Sequence, residues 1–483
     1  MNRAPVLFLV GLLASGCAVG PNYRPPIPPA GAEAPLVSVN PAVETTATPP
    51  DDWWRLYNDP RLDGYLREAF AANADLNAAQ ANLSAARAAF EAARAGNYPE
   101  TIASTAAIYG RDPTTDEILE IIGAKPQTIW LFDDVFDMSY ELDLFGHVRR
   151  SIEASRDDAQ AAAAARDGLK VTVAAETTRA YAQVCTLGEQ LAVARQSLQI
   201  VSREAEITSQ RHEAGANSEF DVVRAQGLVA QVRSAIPPLE GQRRSALFQL
   251  AAMLGRTHSH APAEALDCVT PPHLGALIPV GDGAALIRRR PDVRQADRRL
   301  AAATARVGVA TADLYPRITL TSFYGGAASD TEGLTAERGL TWGVGPSIAW
   351  AFPNQIGPRA RIRQAKAGAA AALAGFDSAV LQALKETEQS LATYGSELDR
   401  REALAESQEK ARRAFDIAQG QFVAGSLNNL DLLTTEQSLV AADAAVAASN
   451  TALVQDQISV FKALGGGWRD QGAGPPPYTP PGK

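Results

Sequence analysis

His258, His260, Cys268 and His273 lie close together, and side chains of these types could hold a metal ion. Their spacing matches none of the zinc patterns, and the run sits among prolines, so they read as loop residues and no metal is expected. Arg288, Arg289 and Arg290 could be taken for a phosphate-binding patch. However, Pro291 and Asp292 follow directly, and an acid at a helix start suits the helix dipole, which makes this a structural run. The net charge of −9 over 483 residues is the wrong sign for a nucleic-acid surface. No nucleophile elbow, phosphate loop or paired His and carboxylate motif occurs, so neither catalysis nor a cofactor is expected. Two acids remain, Asp221 and Asp431, each six residues after a glycine, Gly215 and Gly425. Carboxylates ringing a narrow passage would attract cations and repel anions, because screening there is weak. The same carboxylates could serve as helix caps.

The elements that carry these acids are duplicated. QRHEAGANSEFDVVRAQ, residues 210–226, and QFVAGSLNNLDLLTTEQ, residues 421–437, align at a shift of 210. Each separates two Ala-rich helical runs, so each reads as the tip of a helical hairpin. Glycine stops one helix, and Ser, Asn or Asp begins the next. The run 147–214 spans 68 residues, roughly 100 Å as a helix. Leu169, Val173, Ala180, Val184, Leu187 and Leu191 keep a coiled-coil spacing, as do Leu373, Phe376, Val380, Ala383, Leu391 and Tyr394. The return helices cover 218–254, with a break expected at Pro237 and Pro238, and 428–464. Upstream, helices over 62–98 and 284–315 align at a shift of 217, with Asp75, Leu83 and Pro99 matching Asp292, Leu300 and Pro316. A belt without regular pattern, 255–283, separates the copies.

After each proline the period becomes two. Phe136, Met138, Tyr140, Leu142 and Leu144 alternate with Val135, Asp137, Ser139, Glu141 and Asp143; Trp342, Val344, Pro346, Ile348 and Trp350 alternate with Thr341, Gly343, Gly345, Ser347 and Ala349. Such strands suit lipid on one face and water on the other. Residues 101–109 and 317–324 supply partner strands, giving hairpins over 101–144 and 317–350. Four strands cannot close a barrel in hydrocarbon, so the strands imply oligomerisation.

The start of the chain carries Arg3, a short apolar run over 5–13, and Ala14, Ser15 and Gly16 ahead of Cys17, an export signal. It resembles a bacterial lipoprotein signal, with 1–16 removed and Cys17 lipidated; Ala18 after the cysteine then implies delivery to the outer membrane. Residues 17–52 form a Pro-rich strap. CAVGPNYRPP followed by DDWWRLYNDPRLDGYLREAFAANADL resembles the start of the TolC-like outer-membrane efflux factors, in their NodT-type lipoprotein subgroup. The likeness continues through the repeats to about Trp468.

That resemblance implies a mainly α chain with a small β part, in which a long coiled-coil α-helical barrel joins four membrane strands. Three chains would form one 12-stranded β-barrel. The repeats would be 53–254 and 284–468, with a flexible tail over 469–483. It implies a homotrimer anchored to outer-membrane lipid, which meets a periplasmic adaptor and an inner-membrane pump and passes small molecules outward. A similar duct serves type I protein secretion, and an envelope-spanning rod without a pore is a third possibility. The adaptor would meet the tips at Gly215, Ala216, Gly425 and Ser426. The family pattern places an acid six residues after the second tip glycine in the pore; Asp431 fills that position and Asp221 is its first-copy counterpart. Phe422, Leu427 and Thr434 stand where the family often has Tyr, Arg and an acid, so a gate held by those polar contacts is not expected. The sequence leaves open whether Cys185 pairs with Cys268.

Overall fold

Alanine, leucine, arginine and glutamate lose little on entering a helix, and they dominate most of this chain. The computed structural model describes residues 18–110, 121–123, 128–337 and 339–468; the export signal, Cys17, part of the first strand connection and the tail 469–483 lie outside the described residues. The helices are α1 (Pro60–Ala72), α2 (Ala74–Ala95), α3 (His147–Glu213), α4 (Glu219–Ser234), α5 (Ile236–Met253), α6 (Gly283–Arg289), α7 (Pro291–Ala312), α8 (Ile356–Val423) and α9 (Asn429–Ala463). The strands are β1 (Val43–Glu44), β2 (Glu100–Gly110), β3 (Ile129–Leu142), β4 (Ile278–Pro279), β5 (Arg317–Ala328) and β6 (Leu340–Ala349). The protein is mainly α with a small β part.

Two compact units emerge, one from 18–26, 83–162 and 296–376, the other from 27–82, 163–295 and 377–468. Each unit takes a segment from each sequence repeat, so the duplication runs through both.

The first unit contains an antiparallel sheet in the order β2-β3-β5-β6. Where the strands give way to helices, Arg317 lies 3.6 Å from Glu141 and 3.9 Å from Asp313, and Arg361 lies 3.4 Å from Asp313. The strap crosses this unit between α3 and α7. Arg150, buried, donates to Val19 O at 3.3 Å and to Asn22 Oδ1 at 2.6 Å. The crossing depends on two glycines, because a Cβ on Gly20 would stand 2.5 Å from the Gly308 Cα.

The second unit is built around Trp53, which is fully buried and stacks on Phe461 with centroids 4.7 Å apart. Leu62, Leu66, Val184, Leu250, Ile278, Leu391 and Ile458 complete its core. The strap is more regular than expected, since β1 pairs in parallel with β4 of the belt. Farther back along the strap, the Glu388 carboxylate accepts from the backbone N–H groups of Val37 and Ser38 at 2.8 Å each. The arginine run is a fastener: Arg289 bonds Asp51 at 2.9 Å, and Arg290 bonds Asp292, Glu386 and Ala463 O at 2.7 Å each.

Two helices expected to be continuous are broken, and at equivalent places. Asn73 separates α1 from α2 with φ −61° and ψ 125°; Arg290, 217 residues later, separates α6 from α7 with φ −67° and ψ 126°. The first break is held by the Asn73 side chain, whose Oδ1 accepts from Leu76 N at 3.1 Å. Pro291 imposes the second by excluding helical backbone from the residue before it. Between α4 and α5 the expected interruption lies at Ala235, and the prolines occupy the first turn of α5, where a missing N–H leaves no bond unmade.

Cys185 and Cys268 form a disulfide that ties the belt to α3 across 83 residues of chain. Arg243 adds to it, donating to Leu266 O at 2.6 Å, Cys268 O at 2.7 Å and Val184 O at 3.0 Å. Reducing this bond, or Cys268→Ser, is expected to lower unfolding stability by about 2–4 kcal/mol. Thermal melts with and without reductant check it, and Cys268→Ser should abolish the reductant's effect.

Candidate functional site

Both hairpin tips are built by the same local rules. At the first, Gly215 takes φ +77°, Gly215 N donates to His212 O at 2.8 Å and Ala216 N to Arg211 O at 2.7 Å. At the second, Gly425 takes φ +75°, Gly425 N donates to Phe422 O at 3.1 Å and Ser426 N to Gln421 O at 2.9 Å. This paired closure satisfies the last carbonyls of α3 and α8, and it requires a left-handed residue where glycine alone is unstrained. Ala216 and Ser426 are exposed at the two turns.

The next helices start by capping, and the two candidate acids take part. Ser218 Oγ accepts from Asp221 N at 3.3 Å, while the Asp221 carboxylate accepts from Ser218 N at 3.1 Å and Ser218 Oγ at 2.7 Å. Asn428 does the same work at the second tip, accepting from Asp431 N and donating to Asp431 Oδ2, both at 2.9 Å. The bonds from Ser218 hold the Asp221 carboxyl below its ordinary 3.8. A depressed acid stabilises its cap above that ordinary value, and the contribution fades as pH falls through the lowered one. Asp431 is exposed beside its cap.

Other residues at the tips gave no motif in the sequence. Arg211 of α3 lies over the Phe422 ring of α8, 4.2 Å from its centroid, joining the two hairpins where the family often has a tyrosine. Leu427 packs with Phe415, Phe422 and Leu432, and the Thr434 hydroxyl turns back to Leu430 O. Glu436 on α9 is fully buried. Its spacing is a usable signal, since it is the acid on a helical face otherwise made of Leu432, Leu433, Leu439 and Val440. His258 and His260 stand in a short 3-10 turn of the belt and His273 lies farther along it, and among the described residues no cluster of metal-ligating side chains occurs.

In the sheet, register decides which residues share a face. Phe136 sits opposite Tyr324, which sits opposite Trp342; below them come Met138, Ser322 and Val344, then Tyr140, Leu320 and Pro346, then Leu142, Ile318 and Ile348. This face is apolar and open, with Trp342 69% and Val344 68% exposed. The other face carries Asp133, Asp137, Ser139 and Glu141 on β3, Thr319 and Thr321 on β5, and Ser347 on β6. Aromatics bound the apolar band: the Phe136, Tyr324 and Trp342 row on the loop side, and Trp350 stacked on Phe352 on the helix side. From Trp342 to Trp350 is eight residues, roughly 27 Å along a strand and about 20 Å after tilt, close to an outer-membrane apolar band. Asp134 shares the apolar face but falls beyond the loop-side row, where Thr105 donates to it at 2.9 Å.

The family described as outer membrane efflux protein matches residues 65–256 and 284–466, one stretch on each side of the belt. The chain belongs to this family. As a member of the outer membrane efflux family, it is 29% identical over 459 residues to Nodulation protein T of Rhizobium leguminosarum bv. trifolii, covering 94% of each chain. It is 30% identical over 443 residues to the pyoverdine export outer membrane protein OpmQ of Pseudomonas aeruginosa, covering 87% of this chain and 88% of that one. Among solved structures it superposes on the outer-membrane channel OprN with a TM-score of 0.86 and 32% identity, over 94% of this chain and all of the other. Of these, OpmQ is named for pyoverdine export at the outer membrane and OprN as an outer-membrane channel.

Two sets of variants probe the faces and the tips. Leu320→Lys, midway between the aromatic rows on the apolar face, is expected to cost about 2–4 kcal/mol in lipid, whereas Thr321→Lys on the polar face is expected to be nearly neutral. Urea unfolding in lipid vesicles reads both. Gly425→Ala meets no neighbour within 4 Å, so its cost is conformational alone, about 1–2 kcal/mol at the tip. Hydrogen exchange around 421–428 should speed by roughly tenfold as a result.

Proposed function

We propose that three copies of this chain close one 12-stranded barrel in the outer membrane and conduct small molecules outward, as the exit channel of a tripartite efflux system. One observation carries the reading. The sheet has a continuous apolar face, a polar face and two outer strands, β2 and β6, paired on one side only. Unpaired backbone groups cannot remain in hydrocarbon, and a closed ring of four-stranded sheets removes every edge. The polar faces then line a water-filled passage.

The lipid on Cys17 anchors the chain in this reading, and the repeats 53–254 and 284–468 supply equivalent hairpins to the periplasmic end. A periplasmic adaptor, linking the channel to an inner-membrane pump, docks on the turns at Gly215, Ala216, Gly425 and Ser426. Asp431, with Asp221 beside it, acts as a cation-favouring ring at the narrow end, in addition to capping its helix. The named export of pyoverdine by a relative favours small molecules over a protein cargo.

Single-channel recording in planar bilayers tests this. The purified protein is expected to show stable openings with a preference for cations under a salt gradient. Asp431→Ala should reduce that preference roughly twofold or more. Openings whose selectivity is unchanged would leave Asp431 as a cap, and absence of conduction even after loosening the tips would defeat the channel reading.

A further inference from the structure

Glu436 combines full burial with the absence, among the described residues, of any hydrogen-bond partner for either carboxylate oxygen. Its neighbours on α9 belong to two apolar clusters. Leu433 packs with Val201 of α3 and with Ala225, Leu228 and Val232 of α4; Leu432 and Leu439 pack with Phe415, Ala418 and Phe422 of α8. Glu436 therefore sits at the seam where the first hairpin meets the second. The charged side chain whose field reaches it is another acid, Glu204 of α3, itself only 7% exposed. From α8 comes a neutral donor, Gln419, whose Nε2 bonds Glu204 Oε1 at 2.9 Å and leaves Glu436 unserved. The arginines of nearby turns are engaged elsewhere, Arg211 over Phe422 and Arg412 with Asp443 at 3.2 Å.

An ionised carboxylate in such a seam faces desolvation and a like charge with nothing to offset either. We propose that Glu436 and Glu204 form a proton-operated latch between the two hairpin tips, seated while Glu436 is protonated and released when it ionises. Burial first, and then the Glu204 charge, push the Glu436 carboxyl up to about 7. A released Glu436, in water, returns to its ordinary 4.5. The seated state therefore holds a proton that the released state has lost between these two values. Its advantage is complete below 4.5, declines about tenfold in equilibrium constant per pH unit through the window, and is lost above about 7. The full swing is about 300-fold. The tips are held in acid and loosen toward neutrality.

The latch deepens the channel reading, in which the tips are the narrow end, but it can be tested without conduction. Hydrogen exchange of the purified protein between pH 5 and 8 reads tip opening, with each amide rate divided by its intrinsic rate at that pH. In the wild type, protection over 204–211 and 429–437 is expected to fall by about 70-fold across this range. Glu436→Gln should abolish the fall. Glu204→Gln, which removes the like charge, should leave a smaller fall that ends at lower pH. Glu436→Leu, which fits the apolar seam, should give protection that is flat and higher than wild type at pH 8, so a glutamine variant that fails to fold does not decide the matter. Asp456, farther along α9 and pushed up to about 6 by burial and Glu397, is present in all four proteins. A wild type with flat protection, or a Glu436→Gln or Glu436→Leu protein that keeps the full pH response, would overturn the latch whatever the channel conducts.

Discussion

Backbone pairing at lipid depth is the constraint on which this architecture depends. Among the described residues of one chain, β3 and β5 are paired on both sides, while β2 and β6 each leave one row of N–H and C=O groups without a strand partner. An aqueous protein could leave those rows to water; hydrocarbon offers no such partner. The apolar face bounded by aromatic rows makes the lipid setting unavoidable, and so the sheet must find edges outside its own chain. Everything else follows in sequence. The strands need a polar interior, which the opposite face supplies, and the helices that continue from them must sustain an interior of the same kind.

Duplication is the economical way to make such an object. Each repeat contributes one hairpin of strands and one hairpin of helices, and each compact unit takes its share from both repeats. Equivalent positions keep the same backbone while changing the chemistry that fixes it. Asn73 and Arg290 have nearly the same φ and ψ, yet an Asn side chain enforces one break and a following proline the other. The tips show the reverse, with glycine kept at both turns and Ser218 replaced by Asn428 in the cap. Only glycine tolerates the turn, whereas several side chains can accept a hydrogen bond from a helix start.

Much of this was legible in the sequence, for reasons that differ by element. The alternation on β3 and β6 was plain because large apolar residues mark one face; β2, with Ala, Ser and Thr through its middle, offered little contrast and was readable mainly as the partner of β3. Helix continuity through Asn73 was the wrong expectation, because an Asn in a polar helical run gives no local signal that its side chain will cap the next turn. The disulfide was not decidable, since 83 intervening residues carry no information about the distance between Cys185 and Cys268. Of the tip residues, Gly215 and Gly425 announced themselves by their turns. Asp221 and Asp431 were ambiguous between cap and pore, and the geometry shows the cap in both. Glu436 left one signal, its place on the face of Leu432, Leu433, Leu439 and Val440, but a lone acid reads as solvated until the packing of those neighbours is known.

The second unit is densely packed around Trp53 and lightly held at the tips. Around Trp53 the core is continuous, with stacked aromatics, a disulfide and arginines bonded to backbone carbonyls. At the tips there are two small apolar clusters, two capping pairs and one cation over a ring. Local opening is governed by how many buried apolar contacts must be lost, so the tips form the low-stability end of the unit. A seam there filled entirely with leucine would be firmer, because burying an unpaired carboxyl lowers stability. In the proposed latch, retaining Glu436 therefore sacrifices holding strength at the seam between the two hairpins and ties what remains to a proton.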